Sequence, residues 1–257
     1  MRKSEPGRRI ALVTGASRGI GAEAAVQLAA LGFHVVVNYR EKAKRADAVV
    51  EAVRAAGGSA SSVRADLVDE SAVVEMFAGI EAQFGRLDAL VLNASGGLER
   101  GADPGYAQRL NCDAQVRLAH LALPLMPVRG RLVFVTSHQA HFHGEKPVPP
   151  DYVPIAASKR AGEDALRRMR PLLTERGIKL VVVSGDMIEG TIIVRLLERR
   201  NPAAVISRRA AADGLPTINE FAYAVARAVD DPSPSETIYV GGHDYLADCS
   251  NPLMSGG

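Results

Sequence analysis

Tryptophan is absent from the 257-residue chain, and cysteine occurs only twice, as Cys112 and Cys249. Two cysteines so far apart offer neither a disulfide framework nor metal-ligand spacing, and they suit a reducing compartment. Neither sign of charge is in excess: 31 Lys and Arg stand against 29 Asp and Glu, a net of +2. That balance removes the electrostatic reason to expect nucleic acid or an anionic membrane as partner. Apolar residues never run for the roughly 18 positions that span a bilayer. The segment Met1 to Arg9 is basic, but a strand-like run follows it and no signal cleavage site does. These absences predict a soluble, cytoplasmic protein. What is plentiful is apolar surface, at 47% of residues, enough for the core of one large α/β domain.

Short β-branched runs alternate with longer alanine-rich helical patterns. Strands are expected at Arg9 to Thr14, Phe33 to Asn38, Ser59 to Ala65, Asp88 to Asn93, Arg131 to Ser137, Ile178 to Ser184 and Glu236 to Val240. Between them, helical spacing covers Ile20 to Leu31, Lys42 to Ala56, Glu70 to Phe84, Pro104 to Leu125 and Ile155 to Arg176, with Gly57-Gly58 and Gly85 as stops. Runs such as Ala89-Leu90-Val91-Leu92 and Leu180-Val181-Val182-Val183 are apolar throughout, as strands buried on both faces must be. The alternation predicts a doubly wound, seven-stranded parallel sheet flanked by helices, in one domain over residues 1–257. Two stretches break the rhythm. His138 to Pro154 holds three histidines and four prolines, and Gly190 to Pro216 is long and arginine-rich. Both follow strands, so both lie at the carboxyl edge where such sheets bind ligands.

The segment Thr14-Gly15-Ala16-Ser17-Arg18-Gly19-Ile20-Gly21 follows the first strand and opens the first helix. Glycine lets the backbone turn sharply and approach a pyrophosphate, which the positive helix N-terminus attracts. A glycine-rich turn without a ligand is the plain alternative, and placement between strand and helix argues against it. At the end of the second strand, an acidic residue would accept from the ribose 2′-hydroxyl of NADH and repel a 2′-phosphate. Asn38-Tyr39-Arg40 stands there instead, with Arg18 in the glycine loop, and arginine's planar fork suits a phosphate. NADPH is therefore the expected cofactor, although Glu41 lies beside Arg40. The Arg40 to Arg45 run otherwise reads as a solvated helix face.

These residues resemble the short-chain dehydrogenase/reductase family, and the likeness continues along nearly the whole chain. The resemblance implies a Rossmann fold and a cofactor site at Gly15, Ser17, Arg18, Gly19, Ile20, Gly21, Asn38, Tyr39 and Arg40. Asp66 with Leu67 matches the adenine-contacting turn. Asn93-Ala94-Ser95-Gly96 is similar to the family's NAG motif, with Ser95 in place of glycine. Asn111, Ser137 and Lys159 fall at the family's catalytic asparagine, serine and lysine, the lysine also holding the nicotinamide ribose. Ser184-Gly185 occupies the place of a Pro-Gly motif, which makes Ile188 and Thr191 further cofactor contacts.

One position departs from the pattern. The family's tyrosine, which protonates the substrate carbonyl, stands four residues before the lysine, and Ile155 is there instead. Three sources of the proton compete. Tyr152 lies three residues earlier, about 60° away around a helix, but Pro154 disfavours regular helix through it, so packing or substrate contact is the readier role. His138, His141 or His143 has a suitable pKa, though loop histidines are more often solvated; as a metal triad they lack a carboxylate partner. Third, a ketone beside a phenol or enol supplies its own acid, since a donor held against the oxygen recovers much of the ~10²- to 10⁴-fold value of general acid catalysis. The Ile155 to Lys159 segment resembles tyrosine-lacking ketoreductases of aromatic polyketide biosynthesis, the angucyclinone group in particular. That implies reduction of a ring ketone in antibiotic biosynthesis with substrate-assisted proton transfer. A non-catalytic NADP(H) sensor or scaffold is the rival, and a small-ketone reductase using Tyr152 is another.

On the substrate side, Ile192 to Leu197 is apolar enough to cover a flat ligand as a lid, or to pack on the sheet as a surface helix. Arg195, Arg199, Arg200, Arg208 and Arg209 read as mostly solvated. Leu166, Met169 and Leu173 fit the interface of a homo-oligomer as well as they fit the core.

Overall fold

The computed structural model describes residues 7–98, 103, 105–212 and 214–247. The Met1 to Arg9 segment up to residue 6, the expected helix start at Pro104, and Cys249 lie outside the described residues. The chain runs β1 (Ile10–Val13), α1 (Gly19–Ala30), β2 (His34–Tyr39), α2 (Ala43–Ala55), β3 (Ser59–Arg64), α3 (Glu70–Phe84), β4 (Ala89–Leu92) and α4 (Tyr106–Gln108). A π-turn over Arg109–Asp113 leads into α5 (Ala114–Ala122), β5 (Arg131–Ser137), α6 (His138–His141), α7 (Val153–Arg168), α8 (Arg170–Glu175) and β6 (Lys179–Gly185). The last elements are α9 (Ile192–Arg200), α10 (Pro202–Ala211), α11 (Ile218–Asp230), β7 (Thr237–Val240) and α12 (His243–Ala247).

All seven strands pair in parallel, in the order β3-β2-β1-β4-β5-β6-β7. The expected doubly wound sheet is therefore present. Strand side chains alternate between faces, and here the alternation sorts them by size. Ile10, Leu12, Leu90, Leu92, Leu132, Phe134, Leu180 and Val182 bury against α3, α5 and α7. Ala11, Val13, Ala89, Val91, Val133, Val135, Val181 and Val183 face the layer that contains α1, α2 and α11. The smaller face suits alanine-rich α1, whose Ala24, Ala25 and Leu28 are fully buried. Strand order reverses between β1 and β4, and this switch point opens a crevice at their carboxyl ends.

Three local readings are corrected. The single helix expected over Ile155 to Arg176 is two, parted at Met169, because Pro171 has no N–H to continue the ladder and sits in the first turn of α8. The Pro104 to Leu125 helix contains the π-turn around Asn111, which hydrophobic periodicity does not reveal. The arginine-rich stretch is two helices, α9 and α10, and its last two arginines are not simply solvated. Arg208 binds Asp186 through Nε and Nη2 at 2.6–2.9 Å, and Arg209 binds Glu189 and Glu198 at 2.6–3.0 Å. Leu166, Met169 and Leu173 belong to the hydrophobic core.

Candidate active site at the carboxyl edge of the sheet

The glycine loop leaves β1 through Gly15 and Gly19, both at positive φ (61° and 57°), where a Cβ would be strained. Space in front of Gly19 is open, while a Cβ on Gly21 would lie 2.5 Å from Asn93 Nδ2. Gly19 thus permits close approach of a ligand, and Gly21 permits close approach of the β4 loop. Arg18 precedes α1 in an extended conformation and gives no side-chain cap. The first N–H groups of α1 are accordingly free of an N-cap side chain, which suits a pyrophosphate. Thr14 and Asn93 hold the two loops together. Thr14 Oγ1 accepts from the Asn93 and Ala94 amides at 2.9 and 3.1 Å, and Asn93 Nδ2 donates to the Thr14 carbonyl at 2.9 Å.

Asn38 does not face this crevice. It is buried, accepting from the Gly15 amide and donating to the Ala65 carbonyl, each at 3.2 Å. Both ends of its amide are thus spent on the fold, so it positions the glycine loop. Tyr39 is half-buried against the α1/α2 layer. Arg40 is exposed, donates to the Tyr106 hydroxyl and pairs with Glu41 at 3.1 Å. Asp66 accepts from the Val68 amide at 3.1 Å, shaping the turn in which Leu67 is buried. Ser17 and Asp66 are half-buried, and Arg18 and Ser95 are exposed around the crevice.

Asn111 is buried in the π-turn. Its side chain exchanges two hydrogen bonds with the Gly96 backbone at 3.0 and 3.2 Å and donates to Ser158 Oγ at 3.0 Å. All its polar atoms brace the β4 loop against α7, a positioning role. Lys159, one residue past Ser158, is buried 6.0 Å from the Phe134 ring centre. Burial lowers its pKa from 10.5 to about 8, against the opposing pull of Glu163. Ile188 is buried below Gly185. Thr191 donates to the Ile188 carbonyl at 2.8 Å and caps α9, accepting from Val194.

Of the three candidate histidines, His143 is half-buried, and the other two are committed elsewhere. His138 and His141 are buried rather than solvated. His138 bridges Ser184 Oγ at 2.8 Å and the Gly241 carbonyl at 3.1 Å. Its Nε2 must carry the proton to reach a carbonyl, and burial lowers its pKa. His141 is held between Glu163 at 2.9 Å and the Tyr239 hydroxyl at 3.1 Å. Both rings are consumed by the fold. Among the described residues no cluster of three or more His, Cys, Asp or Glu is placed to hold a metal.

Tyr152 behaves otherwise. A 3-10 turn at Pro150–Tyr152 runs directly into α7, whose second residue is Pro154, where a missing N–H costs nothing. This turn carries the phenol hydroxyl to 3.2 Å from Ser137 Oγ. Packing alone therefore does not describe Tyr152. Burial raises its pKa, the Ser137 hydrogen bond partly opposing the shift. Ile155 at the expected tyrosine position is 2% exposed and seals its place with hydrocarbon.

Glu163 was not singled out by sequence reasoning, although Lys159, Glu163 and Arg167 repeat every four residues on α7. It is buried and takes Arg167 Nε at 2.8 Å as well as His141. The Arg208–Asp186 pair was missed too, since it joins residues 22 apart.

The model of the short chain dehydrogenase family matches residues 9–201, and the chain belongs to that family. It is 34% identical over 190 residues to the 1-cyclohexenylcarbonyl-CoA reductase of Streptomyces collinus, covering 71% of this chain and 65% of that protein. It is also 34% identical over 167 residues to the trihydroxynaphthalene reductase of Colletotrichum orbiculare, covering 63% of this chain and 58% of that protein. The chain thus spans about three fifths of the length of these curated relatives. The crystal structure of the angucycline C-6 ketoreductase LanV with bound NADP superimposes with a TM-score of 0.76, at 28% identity, over 90% of this chain and 93% of that one. No helix among the described residues is long and apolar enough to cross a membrane.

Proposed function

We propose that this protein is an NADPH-dependent ketoreductase acting on a ring ketone of a polycyclic aromatic polyketide, angucyclinone-like, in antibiotic biosynthesis. The observation that carries the chemistry is the Ser137–Tyr152 hydroxyl pair at 3.2 Å, at the carboxyl end of β5. Structural likeness to the NADP-bound angucycline ketoreductase supports the cofactor and the substrate class, and the exposed Arg18 and Arg40 support NADPH over NADH. Bound NADPH would supply the hydride; the glycine loop, Asn93, Lys159 and Ile188 would hold it. Ser137 donates to the ketone oxygen as negative charge develops there. Tyr152 releases its proton to that oxygen, and solvent restores the phenol. Helices α9 and α10 form the lid, held by Arg208 and Arg209. A second reading keeps Ser137 as donor and lets a substrate hydroxyl beside the ketone give the proton; the sealed Ile155 position favours it.

Deuterium transfer from labelled NADPH to a ketone panel, read by mass spectrometry, tests the reading. Label is expected in polycyclic phenolic ketones. Label also in simple ketones supports Tyr152 as acid, and label confined to ketones with an adjacent hydroxyl supports the substrate's own proton. No label despite tight NADPH binding favours a cofactor sensor or scaffold, and equal affinity for NADH and NADPH rejects the cofactor assignment.

The Lys159 ammonium holds the ribose only while charged. With its pKa at about 8, kcat/KM is expected to fall as pH rises through that value. Stability moves the other way: between about 8 and the ordinary 10.5 the unfolded chain binds the proton and the folded chain does not, so stability rises with pH. A pH–rate profile beside thermal melts at each pH checks this. An alkaline activity loss that tracks unfolding would reject it.

A further inference from the structure

At the amino edge of the sheet, opposite the cofactor crevice, a groove of about 400 Å³ lies beside α8 and the starts of β5 and β6. Its charged lining is Arg129, Arg131, Arg170, Lys179 and Glu236, four cations to one carboxylate. Arg131 is 7% exposed. Its Nη1 donates to the Arg129 and Gly130 carbonyls at 2.9 and 3.4 Å, and its Nη2 to those of Asp231 and Pro232 at 2.9 and 3.2 Å. Its Nε has no partner among the described residues. Arg170 pairs with Glu236 through Nη1 at 2.9 Å, while its Nη2 is buried and likewise unpartnered. Lys179 Nζ donates to the Pro234 carbonyl. Arg129 holds a left-handed backbone, φ 72°, beside Gly130, a conformation glycine adopts more cheaply.

Native proteins leave few buried donors unsatisfied, and one left bare is a standing cost. A water can satisfy a donor but cannot balance charge. Two unused guanidinium donors and an excess of cations call for an acceptor that is itself negative, and the arginine fork matches a planar or tetrahedral oxyanion. We propose that this groove binds a small oxyanion, a phosphate or carboxylate group, with the Arg131 and Arg170 guanidinium groups that line it as donors and Arg129 and Lys179 as attracting charges. The site is separate from the hydride chemistry and stands or falls independently of it.

Isothermal titration of NADPH-saturated protein tests the site, because cofactor then occupies the phosphate contacts at the other edge. The probes are inorganic phosphate, glycerol phosphate and citrate, with ionic strength held constant by sodium chloride. Saturable one-site binding is expected for at least one probe. Arg170→Gln and Lys179→Gln, both at the groove rather than in the core, should each weaken it about tenfold, the usual worth of one charge-assisted contact. Their NADPH affinity should be unchanged. Tighter binding of glycerol phosphate than of phosphate identifies an organic phosphate as the occupant, preference for phosphate a free ion, and preference for citrate a carboxylate. Absence of binding by every probe, or binding that both variants retain, overturns the proposal.

Discussion

Tyr152→Phe is expected to lower kcat for ketone reduction by about 10²- to 10⁴-fold, the usual worth of a positioned general acid, with NADPH affinity unchanged. The substitution removes one oxygen and keeps the ring in place. Burial raises the phenol's pKa and the Ser137 hydrogen bond opposes that rise, so Ser137 is what makes the phenol a better acid in this site. His138 and His141 cannot stand in, each having both ring nitrogens bound. Single-turnover rates with a simple ketone and with a hydroxyl-flanked ketone are the measurement. A large loss on both establishes Tyr152 as the acid. A loss on the simple ketone alone shows that the flanking hydroxyl replaces it, and unchanged rates on both reject Tyr152. Ile155→Tyr does not offer an easy rescue: Ile155 is 2% exposed, and its δ-carbon already lies 2.8 Å from where a Cβ on Gly97 would stand.

Gly162→Ala is expected to destabilise the protein and to reduce kcat at the same time. A Cβ there would stand 2.3 Å from the Asn111 carbonyl oxygen and 3.2 Å from Cys112 Cα, both backbone atoms of the π-turn. Alanine gains about 1 kcal/mol of helix propensity over glycine, but backbone cannot yield as a flexible side chain does, and overpacking of this kind costs about 1–3 kcal/mol. The clash wins, and the melting temperature should fall by several degrees, roughly 2–4 °C per kcal/mol for a chain of this class. Displacing α7 also moves Ser158 off Asn111 and shifts Lys159 and Tyr152, so a rate loss of about 10²-fold accompanies it, as misplacement by about 1 Å can produce. Thermal melts and kcat on one preparation check both. An unchanged melting temperature with full activity would show that α7 and the π-turn are not packed as described.

Much of the cofactor crevice was legible because its parts are local. Gly15, Gly19 and Gly21 answer to backbone geometry within one loop, and a strand before and a helix after are readable from periodicity. Asn38 was legible only as a position: its burial and its bonds to Gly15 and Ala65 depend on β1 and β3 lying on either side of β2. The π-turn at Asn111 leaves no periodic mark, because a single wide turn shifts the helical phase by one residue.

The seven-stranded parallel sheet, the glycine loop and the isoleucine in the tyrosine's place were determined by the sequence alone, since apolar periodicity and short-range backbone demands are written residue by residue. The tertiary structure decided which groups meet. Ser137 and Tyr152 are 15 residues apart, His141 and Glu163 are 22 apart, and Arg131 reaches carbonyls 100 residues away. Such pairs form through the packing of separate elements, and side-chain reach across that packing carries no signal in the local order of residues.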